Sequence, residues 1–236
     1  MGPKIVRNSI GIIPARGGSV NIKNKNLIRV KDKTLIEIAY SKAKASKKFD
    51  KIVCSTDSIK IINLCKKKKI PYIKRPKILA RHNSNVADTV VHVLNEEKKK
   101  NIEYKIVALL QPTSPFLKVS DIKNVINKLQ KNKSLNSCQT IHKTPHNYHF
   151  LNSRVIKSNF LEFKFEKERL KKFNKQKKIK IFSFGNFLAC RVKSFIKTKN
   201  LFVKPAGYKL IDKVSSFDLD DKSDIPYLKI IQKILY

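Results

Sequence analysis

The sequence predicts an α/β fold, a mainly parallel sheet with helices on both faces. Short apolar runs without strict polar alternation recur along the chain, as strands buried on both faces require. Helical patterns of ten or more residues separate them, long enough to return the chain to a parallel neighbour. Residues 9–15, Ser-Ile-Gly-Ile-Ile-Pro-Ala, form the first strand and run into a Gly-containing polar loop, 16–26, before a helical pattern over 34–47. Residues 51–55 then read as a strand, 57–68 as a helix, 71–73 as a short strand and 86–98 as a helix. Residues 106–110, Ile-Val-Ala-Leu-Leu, are the clearest buried strand.

After Cys138 the alternation breaks down. Segment 151–180 is Lys-rich and carries Phe160, Phe163, Phe165 and Phe173 at irregular spacing. It is either a protruding subunit contact or a solvated amphipathic helix, and rings that need cover favour the contact. The stretches 181–192 and 201–211 are strand-like, and the acidic run 218–221 precedes a last helix over 223–235. The chain is thus expected to form one domain, 1–236, with 151–180 as an excursion. Ligands of such sheets sit beyond the carboxyl ends of the strands. That rule points to loop 16–26, to Ser55-Thr56-Asp57 and to Gln111-Pro112-Thr113-Ser114.

With 236 residues, of which 41% are hydrophobic, the chain can bury one substantial core. No apolar run approaches the roughly 20 residues of a membrane-spanning helix. The start, Met1-Gly2-Pro3-Lys4, lacks a signal-peptide apolar region, so a cytoplasmic protein without membrane attachment is expected. Cys54, Cys65, Cys138 and Cys190 form neither a CxxC pair nor a disulfide-like framework, which suits reduced, buried thiols. His142, His146 and His149 crowd together, but no cysteine or carboxylate beside them completes a metal set. Lys plus Arg number 53 against 17 Asp plus Glu, a net charge of +36. The excess is lysine scattered along the whole chain rather than arginines and aromatics interleaved on one element. Specific nucleic-acid binding is therefore not expected, and a phosphate-rich small substrate would use the same field.

Three segments carry groups suited to such a substrate. In Ala15-Arg16-Gly17-Gly18-Ser19, paired glycines let backbone N–H groups close on phosphate and Arg16 can grip its oxygens in a bidentate manner, although many Gly-Gly loops are ordinary turns. Lys23 and Lys25 follow in the same loop. Asp218 and Asp220, two apart in an extended segment, project to one side and can share a Mg²⁺, or else form a solvated acidic cap on the last helix. Gln111, Thr113 and Ser114 present an amide and two hydroxyls at a strand end, for a ligand or as a cap on the helix that follows.

Taken in order, Ile12-Ile13-Pro14-Ala15-Arg16-Gly17-Gly18-Ser19 with Asn24-Lys25-Asn26-Leu27, Cys54-Ser55-Thr56-Asp57, Arg75-Pro76, Leu109-Leu110-Gln111-Pro112-Thr113-Ser114-Pro115 and Ser216-Phe217-Asp218-Leu219-Asp220 resemble the CMP-N-acylneuraminate synthetases. This family includes enzymes for sialic, legionaminic and pseudaminic acids, with the CMP-Kdo synthetases as more distant relatives. The resemblance runs from about residue 10 to 235. It implies a Rossmann-like nucleotidyltransferase fold, a homodimer in which each excursion reaches over its partner, and synthesis of a CMP-sugar and pyrophosphate from CTP and a nonulosonic acid. It further implies that Arg16 and Lys25 hold the triphosphate, that Asn26 contacts the nucleotide, that Gln111, Thr113 and Ser114 line the sugar-acid pocket, and that Asp218 and Asp220 bind Mg²⁺. Asp218, Arg16 and Lys25 would then be the catalytic groups, with Ala15, Gly17, Gly18 and Ser19 completing the nucleotide loop. Three positions depart from the family pattern. Val20 stands for a loop lysine, Val86 for a serine that Asn83, Ser84 or Asn85 can replace, and Gly185-Asn186 for an Asn-Gly pair.

Overall fold

The computed structural model describes residues 3–19, 21–172, 174 and 178–235. In chain order these form β1 (Ile5–Pro14), β2 (Arg29–Val30), β3 (Lys33–Thr34), α1 (Leu35–Ser46), β4 (Lys51–Thr56), α2 (Ile59–Lys67), β5 (Tyr72–Lys74), α3 (Val86–Lys98) and β6 (Ile102–Leu110). Then come α4 (Val119–Lys131), β7 (Ser137–Lys143), β8 (Arg154–Lys157), β9 (Phe160–Phe163), α5 (Glu166–Lys171), β10 (Phe182–Arg191), α6 (Val192–Thr198), β11 (Ala206–Leu210) and α7 (Asp224–Leu235).

Seven strands make one sheet in the order β11-β7-β10-β6-β1-β4-β5. Neighbours pair in parallel except β10, which runs against both β6 and β7. The expected mainly parallel sheet is therefore present. From β1 the chain moves outward through β4 and β5, then returns to place β6 on the other side of β1. The reversal opens a crevice at the carboxyl ends of β1 and β6, the place where such a sheet receives a ligand.

Consecutive residues of the central strands serve opposite faces. Ile13, Ala108, Leu110 and Phe187 pack with Ile36 of α1 and with Ile122, Val125, Ile126 and Leu129 of α4. Ile10, Ile12, Val107, Leu109 and Leu188 pack with Val90, Val93 and Leu94 of α3 and Phe195 of α6. Burial on both faces is why these strands show no polar alternation. The α4 residues recur at helical spacing, a stripe that the sequence reading left unassigned. The strand-like stretch 201–211 is shorter than expected. Leu201 and Val203 are buried, but pairing begins only after Pro205, which has no N–H to give a ladder. Val192 likewise ends β10 by starting a helix.

A third apolar cluster lies beneath the crevice, where Ile22, Val30, Leu35, Ile38, Phe116, Leu219 and Leu228 meet. All four cysteines are buried and free. Among the described residues no helix is long and apolar enough to cross a membrane.

The opposite, amino-terminal edge of the sheet is held by Glu97 at the end of α3, which is fully buried. Its carboxylate accepts from Lys51 Nζ at 2.8 Å, Lys100 Nζ at 3.1 Å and the Tyr104 hydroxyl at 3.0 Å. Burial alone would raise its pKa, but the two ammonium groups and the hydroxyl hold it below the usual carboxylate range. Because the folded value lies below the unfolded one, the stabilisation is complete above the unfolded pKa and is lost as pH falls through the folded value. Glu97→Gln should cost about 2 kcal/mol at pH 7. In urea denaturation, its deficit relative to wild type should close below about pH 4.

Candidate active site

The crevice between β1 and β6 is a cleft of about 560 Å³. One wall is the loop after β1, with Arg16, Ser19, Lys25 and Asn26; a second is the end of β6, with Gln111 and Thr113; a third is the acidic turn carrying Asp218 and Asp220. The segment between β5 and α3 closes the fourth side with Arg75, Arg81 and His82.

Loop 16–26 is held from behind. Ile22 inserts into the third apolar cluster, and the buried Asn26 amide donates to the Arg16 carbonyl at 3.1 Å. The Gly17 N–H donates to Asp57 Oδ1 at 2.9 Å, and the Ala15 N–H donates to the Ser55 carbonyl at 3.0 Å. The amides of Ala15 and Gly17 are thus already engaged, which corrects the expectation that the Gly17 N–H closes on phosphate. Gly17 is required for space, since a Cβ there would lie 2.8 Å from Ser58 Cβ. Gly18 is exposed with open space around it. Ser55, Thr56 and Asp57, expected among the ligand-side residues, do not line the cleft and stand behind it. Asp57 clamps the loop, and Ser55 seats the buried guanidinium of Arg75, whose Nη2 donates to the Ser55 carbonyl at 2.7 Å.

The acidic turn is fastened to β6. Leu219 is fully buried, and its N–H donates to the Thr113 carbonyl at 2.9 Å. Extended alternation then sends Asp218 and Asp220 to the opposite side, into the cleft. Ser114 stands behind the wall, its hydroxyl donating to Asp218 Oδ1 at 3.2 Å. Lys25 Nζ crosses the cleft to the Asp220 carbonyl at 3.1 Å and to its carboxylate at 3.2 Å. Burial raises the Asp218 pKa and the charge of Asp220 adds to this, against hydrogen bonds from Thr113 and Ser114 and the attraction of Lys25. The site thus opposes a cationic wall to a pair of carboxylates across one cavity.

A family model described as Cytidylyltransferase matches residues 10–199. The chain belongs to the cytidylyltransferase family. It is 26% identical over 226 residues to the N-acylneuraminate cytidylyltransferase of Escherichia coli, covering 95% of this chain and 52% of that protein. The chain thus spans about half the length of that relative. It is 28% identical to the CMP-N,N'-diacetyllegionaminic acid synthase of Legionella pneumophila, covering 91% of this chain and 92% of that one. It is 25% identical to a pseudaminic acid cytidylyltransferase of Campylobacter jejuni, covering 94% and 95%. Among solved structures, a CMP:2-keto-3-deoxy-manno-octonic acid synthetase complexed with CTP superposes with a TM-score of 0.68 at 13% identity, covering 97% of this chain and 98% of that one.

Sequence reasoning named Arg75 only within the Arg75-Pro76 motif, with no place in the site, and did not single out Arg81 and His82 of this cytidylyltransferase's cleft. Arg16 Nη1 donates to the Arg81 carbonyl at 2.9 Å, which brings the first-strand loop against this wall. The signal of Arg81 was its charge alone, lost among so many lysines. Lys23 is exposed and lies off the cleft lining, while Val20 falls outside the described residues. Ser84 and Val86 both face the cleft. Asn85 is committed elsewhere, its side chain accepting from the Ala87 N–H at 2.9 Å to cap α3. Gly185-Asn186 lies off the lining, at the irregularity of β10, where Asn186 has φ 69° and its amide donates to the Ser216 carbonyl at 3.1 Å. The histidine-rich stretch holds no metal set among the described residues. The His149 ring is occupied at both nitrogens, by the Leu151 N–H and the Ile179 carbonyl.

Asp218 and Asp220 fit a hard divalent cation. Both offer oxygen donors to one cavity, and Mg²⁺ is commonly held by one or two carboxylates with substrate phosphates and water completing its shell. Leu219 sets their position, and its removal should be felt at once. Leu219→Ala is expected to cost about 2–4 kcal/mol in urea denaturation, whereas Leu219→Met should stay within about 1.5 kcal/mol of wild type.

Proposed function

We propose that the chain is a CMP-sugar acid synthetase that couples CTP to a nonulosonic acid, with release of pyrophosphate. The observation that carries this reading is the meeting of Arg16 and Lys25 with Asp218 and Asp220 across one cleft, floored by Gln111 and Thr113. Three named relatives that align over more than nine-tenths of this chain act on sialic, legionaminic and pseudaminic acids, which supports the acceptor class.

In this reading the anomeric hydroxyl of the sugar acid attacks the α-phosphorus of CTP. A new P–O bond forms, the bond between the α-phosphorus and the β-phosphate oxygen breaks, and the hydroxyl proton is released. Arg16 and Lys25 hold the triphosphate and neutralise the charge growing on the leaving pyrophosphate. Asn26 keeps the loop at the nucleotide, and Gln111 and Thr113 orient the acceptor, with Ser114 setting the Asp218 carboxylate. Asp218 and Asp220 would hold a Mg²⁺, which supplies Lewis-acid charge at the phosphate oxygens when bound. Lys25 then exchanges its contact with Asp220 for the triphosphate. The exposed side chains Ile156, Phe160 and Leu161 on the β8–β9 ribbon supply apolar area for a second copy, as a homodimer requires. Phe163 is already covered, between the guanidinium groups of Arg154 and Arg169. Phe173 lies outside the described residues.

The test is pyrophosphate release from CTP and Mg²⁺ with N-acetylneuraminic, N,N'-diacetyllegionaminic and pseudaminic acids, with Kdo as the competing acceptor. Turnover is expected with a nonulosonic acid, and Asp218→Ala or Arg16→Ala should lower kcat/KM by about 10²–10³-fold. Release with Kdo alone would replace the acceptor assignment. No release with any acid, despite CTP binding, would overturn the enzymatic one.

A further inference from the structure

Helix α1 carries a lysine where its packing suits an apolar residue. Leu35 and Ile38 face the third apolar cluster, and position 42 continues their stripe at helical spacing. Lys42 is half-buried, and burial brings its pKa down to about 8, which leaves the ammonium the main form at neutral pH. Its Nζ reaches a segment 73 residues away in sequence and donates to the carbonyl of Pro115, and at 2.7 Å to that of Leu117. An ammonium partly withdrawn from water gains more from such partners than one fully in solvent.

Both carbonyls belong to the turn between β6 and α4, which also carries the acceptor wall of the cleft. The Leu117 N–H donates to the Ser114 carbonyl and the Ser114 N–H to the Gln111 carbonyl. The Ser114 hydroxyl reaches Asp218, and the Thr113 carbonyl receives the Leu219 N–H. A continuous series of hydrogen bonds therefore leads from the Lys42 ammonium to Gln111 and to the acidic turn. Lys42 itself does not line the cleft, and the triphosphate loop has hydrogen bonds of its own, from Asn26 to the Arg16 carbonyl and from the Gly17 N–H to Asp57, sharing with the turn only the third apolar cluster.

We propose that Lys42 is a positioning residue that sets Gln111, Thr113 and Ser114 at the acceptor side of the cleft from beneath. The catalytic part of this inference rests on the sugar-acid cytidylyltransferase reading.

The experiment compares wild type, Lys42→Met and Lys42→Arg in three measurements. These are amide hydrogen exchange over 113–119, calorimetric affinity for CTP with Mg²⁺, and KM and kcat with the sugar acid that wild type turns over. For Lys42→Met, exchange at Ser114 and Leu117 should rise about tenfold. Its CTP affinity should stay within about twofold of wild type while the acceptor KM rises about tenfold. Lys42→Arg, which keeps the charge and the donors, should recover most of the acceptor KM. Unchanged exchange and acceptor KM in a folded Lys42→Met would overturn the proposal, as would equal losses for CTP and acceptor or no recovery by arginine. If Lys42→Met does not fold, Lys42→Gln against Lys42→Arg bears the same comparison. Exchange and CTP affinity need no turnover. An enzyme inactive toward every sugar acid would therefore sink the substrate reading while Lys42 is still judged on those two measurements.

Discussion

The burial of Leu219 between two carboxylates is the constraint on which the site depends. A strand-like segment alternates its side chains, so a leucine drawn into the apolar cluster under the cleft sends Asp218 and Asp220 the other way. The hydrogen bond from its N–H to the Thr113 carbonyl joins this turn to the end of β6. The same cluster receives Ile22 from the cationic loop and Phe116 from the turn after Gln111. Three chain segments far apart in sequence thus meet over one small piece of core. Hydrophobic burial, which is not directional, is given direction here by the alternation and by one backbone bond.

The electrostatics follow from that convergence. Arg16, Lys25, Arg75 and Arg81 surround a cavity into which two carboxylates also project. Lys25 answers Asp220, while Asp218 has hydroxyl partners and a carboxyl pushed upward by burial and by its neighbour. The arrangement favours a ligand that brings several negative oxygens together with a cation, the combination found in a nucleoside triphosphate and its metal. The net charge of +36 adds a long-range attraction for such an anion, screened by salt.

Much of this was legible in the linear sequence, for identifiable reasons. Strands buried on both faces read as unbroken apolar runs, so 9–15, 51–55 and 106–110 were visible, and the rule for parallel sheets pointed to the loops that follow them. Other features were hidden. Helix α4 has an apolar stripe as regular as any, yet it begins among Pro, Thr and Ser residues that read as a loop or cap. Arg81 was invisible because cations are common throughout this chain, and Arg75 showed only as part of a motif with no place in the site. Gly17 looked like a phosphate-binding amide, but its N–H is taken by Asp57.

The sequence by itself determined the α/β class, the polar loops that follow the strands, and the scarce aspartate pair set two residues apart. Those are local properties, set by periodicity and by side-chain chemistry. Only the tertiary structure decided that the cleft lies between β1 and β6, since strand order follows from which crossover reverses and no local pattern encodes that reversal. It also decided which donors remain free. Whether an amide, a lysine or a carboxylate can meet a ligand depends on partners brought from 40 to 195 residues away, as with Gly17 on Asp57, Lys42 on Leu117 and Lys25 on Asp220.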